Sequence, residues 1–135
     1  MAALRDIRLW LLLFFAMRLI GIANPPLETA HHWRQTTVLM VARNFHEQGI
    51  DLLHPRVDMA GEKSGITGME FPLLPALIAA QSKLFGFAHW HARLIVLVIG
   101  TLGAWAFHQL LKRYFNADVA FWATLALSAS LWFMY

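Results

Sequence analysis

Leu94-IVLVIGTLGAWAFHQL-Leu111 runs for eighteen residues without a charged side chain. A bilayer core about 30 Å thick takes about 20 predominantly apolar helical residues to cross, so this run reads as a membrane span. Lys112, Arg113, Asn116 and Asp118 then mark a turn, and Val119 to Tyr135 forms another uncharged run of seventeen residues. The sequence stops inside that run without a polar tail. The expectation is therefore a truncated piece of a longer multi-span protein.

Towards the N-terminus, Leu9 to Ala23 is apolar and follows Arg5 and Arg8. A basic start, an apolar middle and the small-residue site Gly21-Ile22-Ala23 fit a cleaved signal peptide. Arg18 interrupts the apolar part and further spans follow, so an uncleaved first span is preferred. Arg5 and Arg8 then place the N-terminus in the cytoplasm by the positive-inside rule. Phe71 to Phe87 contains Gln81 and Lys83 and is short for a span. If it crosses fully, Lys112 and Arg113 fall outside, against that rule. If it only dips in, they fall inside. The expected architecture is an all-α membrane protein and a single membrane domain over 1–135. About four transmembrane helices lie near 7–23, 71–87, 94–111 and 118–135, with an extracytoplasmic loop over 24–70.

Composition agrees with a bilayer. The 135 residues are 59% hydrophobic and 14% charged, against about 45–50% and about 25% in soluble domains. There is no cysteine, which excludes disulfides and thiolate zinc sites. The formal charge of +3 comes from scattered Lys and Arg. No basic run supports nucleic-acid binding.

Most of the acid-base chemistry sits in the loop. Asn24-Pro25-Pro26 ends the first helix, because proline lacks a donor and restricts the residue before it. A second helix is expected over Ala30 to Gln48, with Thr29 as N-cap and Gly49 as the left-handed residue past its end. Arg34, Arg43, His46 and Glu47 keep it from spanning, while Trp33, Val38, Val41 and Phe45 give it an apolar side. It reads as an amphipathic helix lying on the membrane. From Asp51 to Gly68 the chain reads as irregular.

The loop's chemistry admits several readings. Arg34, near the exposed N–H groups of a helix start, suits a phosphate; alternatively it meets lipid headgroups, with Trp33 as interface anchor. His31 shares a helical face with Gln35. His31, His32, His46 and His54 with Glu28 or Glu70 would supply enough metal ligands. However, adjacent histidines diverge on a helix and no HxxxH spacing occurs, so no metal and no cofactor is expected. Glu28 and Glu70 lie at the two ends of the loop, where a partly desolvated carboxylate can act as general base. Their structural alternatives are helix N-terminal charge complementation for Glu28 and an ion pair with a loop arginine for Glu70.

His31-His32-Trp33-Arg34-Gln35, Ala42-Arg43-Asn44-Phe45 and Glu70-Phe71-Pro72-Leu73-Leu74-Pro75 follow a first span in that order. This pattern resembles the N-terminal part of the GT-C membrane glycosyltransferases, such as the protein O-mannosyltransferases and the aminoarabinose transferases. Phe85-Gly86 followed by Ala92-Arg93-Leu94 resembles the linker before their third span. The resemblance implies an integral membrane enzyme taking sugar from a polyprenyl-phosphate donor on the extracytoplasmic face. The acceptor would be a lipid, glycan or protein, and the setting a bacterial inner membrane. It also implies that the first large loop carries the catalytic carboxylate and helps bind the lipid phosphate. Many relatives place an acidic pair eight residues before the alanine of the Ala-Arg-Asn-like segment; here Arg34-Gln35 stands there. The base then falls to Glu28 or Glu70, with His31 or His32 behind them. His31, His32, Arg34, Gln35 and Arg43 are the expected substrate-binding residues, with Arg34 or Arg43 stabilising the leaving phosphate. The expected partners are that donor, membrane lipids and the remainder of a multi-span enzyme. The competing classes are a non-enzymatic membrane scaffold or subunit, and a transporter piece.

Overall fold

The computed structural model describes residues 5–24, 32–59, 61, 63–68 and 70–130, apart from the side chains of His32 and Trp33. Five helices follow one another: α1 (Ile7–Leu19), α2 (His32–Gln48), α3 (Leu73–Phe85), α4 (Trp90–Tyr114) and α5 (Ala117–Ser130). Among the described residues there is no strand, only an isolated antiparallel bridge between Arg56 and Ile66. The all-α class is therefore observed. α4 is long and apolar enough to cross a membrane: its 25 residues extend about 37 Å at 1.5 Å per residue.

The helix ends differ from those expected for local reasons. α1 stops at Leu19 rather than 23, because Ile20 turns extended and Gly21 takes a positive φ of 78°. Asp6 caps its start, accepting the Arg8 N–H at 2.9 Å. α2 begins at His32 and ends as expected before Gly49, whose φ of 106° suits glycine best. The proposed Thr29 cap lies outside the described residues. α3 is confined to 13 residues between Pro72 and Gly86, the latter at φ 81°. α4 runs beyond both expected ends, since Lys112 and Arg113 favour a helix C-terminus. The turn to α5 shrinks to Phe115-Asn116, where the Asn116 side chain accepts the Val119 N–H at 2.8 Å.

The chain forms two compact units, residues 1–22 with 96–135, and residues 23–95. In the first, Arg5 meets Asp118 at 3.3 Å and Arg18 donates to the Ser128 carbonyl at 3.5 Å. These contacts tie start to start and end to end, so α1 and α5 run parallel. Ile7, Leu11, Ala104 and Phe121 form the core between them and α4. His108 bonds the Ala120 carbonyl and Thr124 Oγ at 3.2 and 3.3 Å. α4 is thus antiparallel to both neighbours, and Lys112 lies at the same end as Arg5 and Arg8.

In the second unit α2 and α3 pack side by side around Val41, Phe45 and Ala79. Arg34 at the start of α2 reaches Glu70 just before α3, whereas His46 near its end stacks by Phe87 just after α3. The two helices are therefore parallel, and residues 49–72 must run back along them. Buried Asn44 fastens that return: its Nδ2 donates to the Arg56 carbonyl at 2.9 Å and to Asp58 Oδ1 at 3.0 Å. Its own Oδ1 accepts from Gln48. Across the return, the Val57 N–H bonds the Gly65 carbonyl and the Thr67 N–H the Pro55 carbonyl. Asn44→Ala should cost about 1–3 kcal/mol, since it removes the hydrogen bonds that a buried amide makes to the return. The check is a lowered unfolding midpoint together with faster amide exchange at Val57 and Thr67.

Candidate functional site

The polar groups of the second unit collect at the start of α2 and along its two sides. Arg34 and Arg43 are nine residues apart, which at about 100° per residue puts them on opposite faces of the helix. On one face, Arg34 Nη2 donates to both carboxylate oxygens of Glu70, at 2.5 and 2.7 Å. Both side chains are more than half exposed. A pair so exposed is worth about 0–1 kcal/mol, so either partner is available for exchange. On the other face, Arg43 bonds Asp58 and lies 3.9 Å from Glu47 one turn on.

Gln35, half-buried next to Arg34, accepts from Arg93 Nη2 at 3.3 Å. The other terminal nitrogen of Arg93 donates to the Asn24 carbonyl at 2.7 Å. His89 Nε2 donates to the Ala23 carbonyl at 2.9 Å. The first turn of α4 thereby holds the chain at Ala23-Asn24 and reaches the start of α2. These side-chain donors satisfy carbonyls that a turn leaves open.

The expected site residues fall into three groups. Arg34 with Glu70, and Gln35 through Arg93, are brought into contacts at the start of α2. Arg43 is set half a turn away with its own carboxylate. Glu28 and His31 lie outside the described residues, and His32 is the first residue of α2. Sequence reasoning missed Arg93 and Asp58 as partners. A lone cation in the first turn of a helix whose middle is uncharged was a usable signal for Arg93. Asp58, fifteen residues from Arg43 in irregular chain, left no periodic trace. Among the described residues, no three His or carboxylate groups gather as metal ligands. His54, weighed as one, is engaged by Asp51 at 3.0 Å.

Residues 69–135 match the sequence profile of the dolichyl-phosphate-mannose-protein mannosyltransferase family. This half of the chain is GT-C-like. The match begins beside Glu70 and runs through α3, α4 and α5. It supports the resemblance carried by Glu70-Phe71-Pro72 and by the apolar helices that follow. A glycosyltransferase affinity of the GT-C type is thus supported, and members of that class are membrane proteins. The family's description names a polyprenyl-linked sugar, dolichyl-phosphate-mannose, as donor. Comparison with curated proteins and with solved structures returned no match.

In the return loop, the hydrogen bond from the His54 side chain and then the Leu53 N–H hold the Asp51 carboxyl below its ordinary value of 3.8. A depressed carboxyl stabilises the turn above the ordinary value and loses that contribution as pH falls through the lowered one. Carboxyl titration followed by NMR should place Asp51 below 3.8, and His54→Ala should move it back upward. An unmoved midpoint in that variant would remove His54 as the cause.

Proposed function

We propose that this chain is a GT-C glycosyltransferase or the N-terminal module of one, acting on a polyprenyl-phosphate-linked sugar at the extracytoplasmic face of a bacterial inner membrane. The observation that carries the reading is the family match over residues 69–135. The Arg34–Glu70 pair, at the edge of that matched segment, supports it.

In the proposed mechanism Arg34 exchanges partners. The incoming donor carries a phosphate, which binds a guanidinium more strongly than an exposed carboxylate does. Once the phosphate takes Arg34, Glu70 is released to accept the proton of the acceptor hydroxyl. The hydroxyl oxygen bonds to the anomeric carbon as the bond from that carbon to the phosphate oxygen breaks. Arg34 stabilises the leaving phosphate. Gln35, held by Arg93, lies beside Arg34, and His31 and His32 keep the substrate-binding role that the resemblance implies. Glu28 remains the alternative base. Arg43, on the other face of α2, serves the return loop through Asp58 in this reading, so its expected phosphate role passes to Arg34.

The topology proposed here has one membrane domain with α1, α4 and α5 as spans and α3 as a helix that dips in without crossing. Arg5, Arg8 and Lys112 lie at one end of the first unit. If α1 and α4 both cross, the residues between them make no net crossing, and the positive-inside rule puts the basic end in the cytoplasm. The large exposed apolar side chains of these helices, Leu12, Leu102 and Trp122 among them, support a lipid-facing surface. α1 and α5, at 13 and 14 residues, extend only about 20 Å and would need flanking turns or local thinning to cross.

The chemistry is tested on protein reconstituted with a polyprenyl-phosphate sugar. Arg34→Ala should lower transfer about 100- to 1,000-fold, and Glu70→Gln about 100- to 10,000-fold. Wild-type rates in Glu70→Gln together with a collapse in Glu28→Gln would move the base to Glu28. Wild-type rates in all three would favour a non-enzymatic scaffold. The natural absence of cysteine makes single-cysteine labelling direct. Ser64→Cys should react with an impermeant maleimide from outside the cell and Tyr114→Cys only after permeabilisation. External labelling of Tyr114→Cys would mean that α3 crosses.

A further inference from the structure

The basic end of the first unit encloses a cleft of about 370 Å³ that the transfer chemistry does not use. Arg5, Asp6, Arg8, His108, Gln109 and Lys112 are among its lining residues. Three of these are cations against one carboxylate. Asp6 is already engaged as the α1 cap and Arg5 as the partner of Asp118. Among the described residues, the side chains of Arg8 and Lys112 have no carboxylate partner.

The other wall is built rather than incidental. His108 is 7% exposed, so it is a buried side chain at the cleft. Its Nδ1 lies 3.2 Å from the Ala120 carbonyl and 3.3 Å from Thr124 Oγ, which fixes the ring against α5. Donation to that carbonyl commits the Nδ1 proton and leaves Nε2 as the second polar atom of the ring. The cleft also borders Ala117, the first residue of α5, where backbone N–H groups and the positive end of the helix favour an anion. Its volume lies within the range of small-molecule sites, about 300–1,000 Å³. Leu9 and Leu110, next in sequence to lining residues, and Leu12, one helical turn on from Arg8, remain exposed. A ligand with a charged head and apolar chains matches that arrangement.

We propose that this cleft is a binding site for a phosphate ester anion, supplied by the headgroup of an anionic phospholipid. The phosphate lies between Arg8 and Lys112, Gln109 and His108 complete its polar contacts, and the acyl chains follow the exposed leucines. The site is independent of sugar transfer, since neither Arg34 nor Glu70 takes part.

The test uses the full chain in nanodiscs of mixed phosphatidylglycerol and phosphatidylcholine, with retained lipid counted by native mass spectrometry. Wild type should retain phosphatidylglycerol preferentially. Arg8→Gln with Lys112→Gln should reduce that preference about thirtyfold, roughly fivefold for each cation near a charged surface. The charge-matched control Lys83→Gln with Arg113→Gln, at positions outside the cleft lining, should keep it. Equal losses in the two double variants would mean bulk attraction and overturn the site. If the double variant fails to fold by circular dichroism, the single variants Arg8→Gln and Lys112→Gln decide, and an unchanged preference in both overturns it. Inorganic phosphate added in lipid-free detergent distinguishes the source. Broadening of its ³¹P line by wild type but not by the double variant, without lipid preference in the nanodiscs, would overturn the lipid as ligand.

Discussion

Charge is kept off the middle of α4, and much of the rest follows from that constraint. A helix satisfies its own backbone groups and can therefore lie in an apolar phase, but a charged side chain there is expensive. In this chain the cations of α4 stand only in its first and last turns, Arg93 at one end and Lys112-Arg113 at the other. Each end then organises a different set of partners. Arg93 captures the Asn24 carbonyl and Gln35. Lys112 shares a cleft with Arg5 and Arg8. One helix thus contributes its polar ends to two separate clusters, and its apolar middle belongs to neither.

The parallel packing of α2 and α3 has an equally direct consequence. Consecutive antiparallel helices need only a short link, and they would place Glu70 near Gln48. Parallel helices require a connection that travels their full length, and residues 49–72 supply it. Connections longer than about 12–15 residues are uncommon and are often functional. This one is held by Asn44, by the Arg43–Asp58 pair and by the Arg56–Ile66 bridge. The return delivers Glu70 to Arg34. The loop's internal polar contacts therefore support the candidate site without belonging to it.

The two arginines of α2 differ in their surroundings. Arg34 and Glu70 meet at an exposed edge, where water screens the pair and exchange is cheap. Arg43 is more tightly integrated, because its partner Asp58 also accepts from buried Asn44. An arginine that closes a loop is poorly suited to releasing its carboxylate for a ligand. The same residue type in one helix is thus divided between a contact that holds the fold and an exposed pair that is open to exchange.

The sequence by itself determined the helical class, the apolar run that became α4, the polar insert and the amphipathic α2 ending before Gly49. These features follow from local rules: uncharged length, proline and glycine breaks, and backbone hydrogen bonding. It also marked Arg34 and Glu70 as residues of interest. Only the tertiary structure decided that these two meet while Arg43 turns away, that α2 and α3 run parallel, and that Arg8 and Lys112 face one cleft. Those facts depend on contacts between residues as far as 113 positions apart, as in the Arg5–Asp118 pair. Periodicity records which face a residue occupies on its own helix, but not which helix will lie against that face or in what direction.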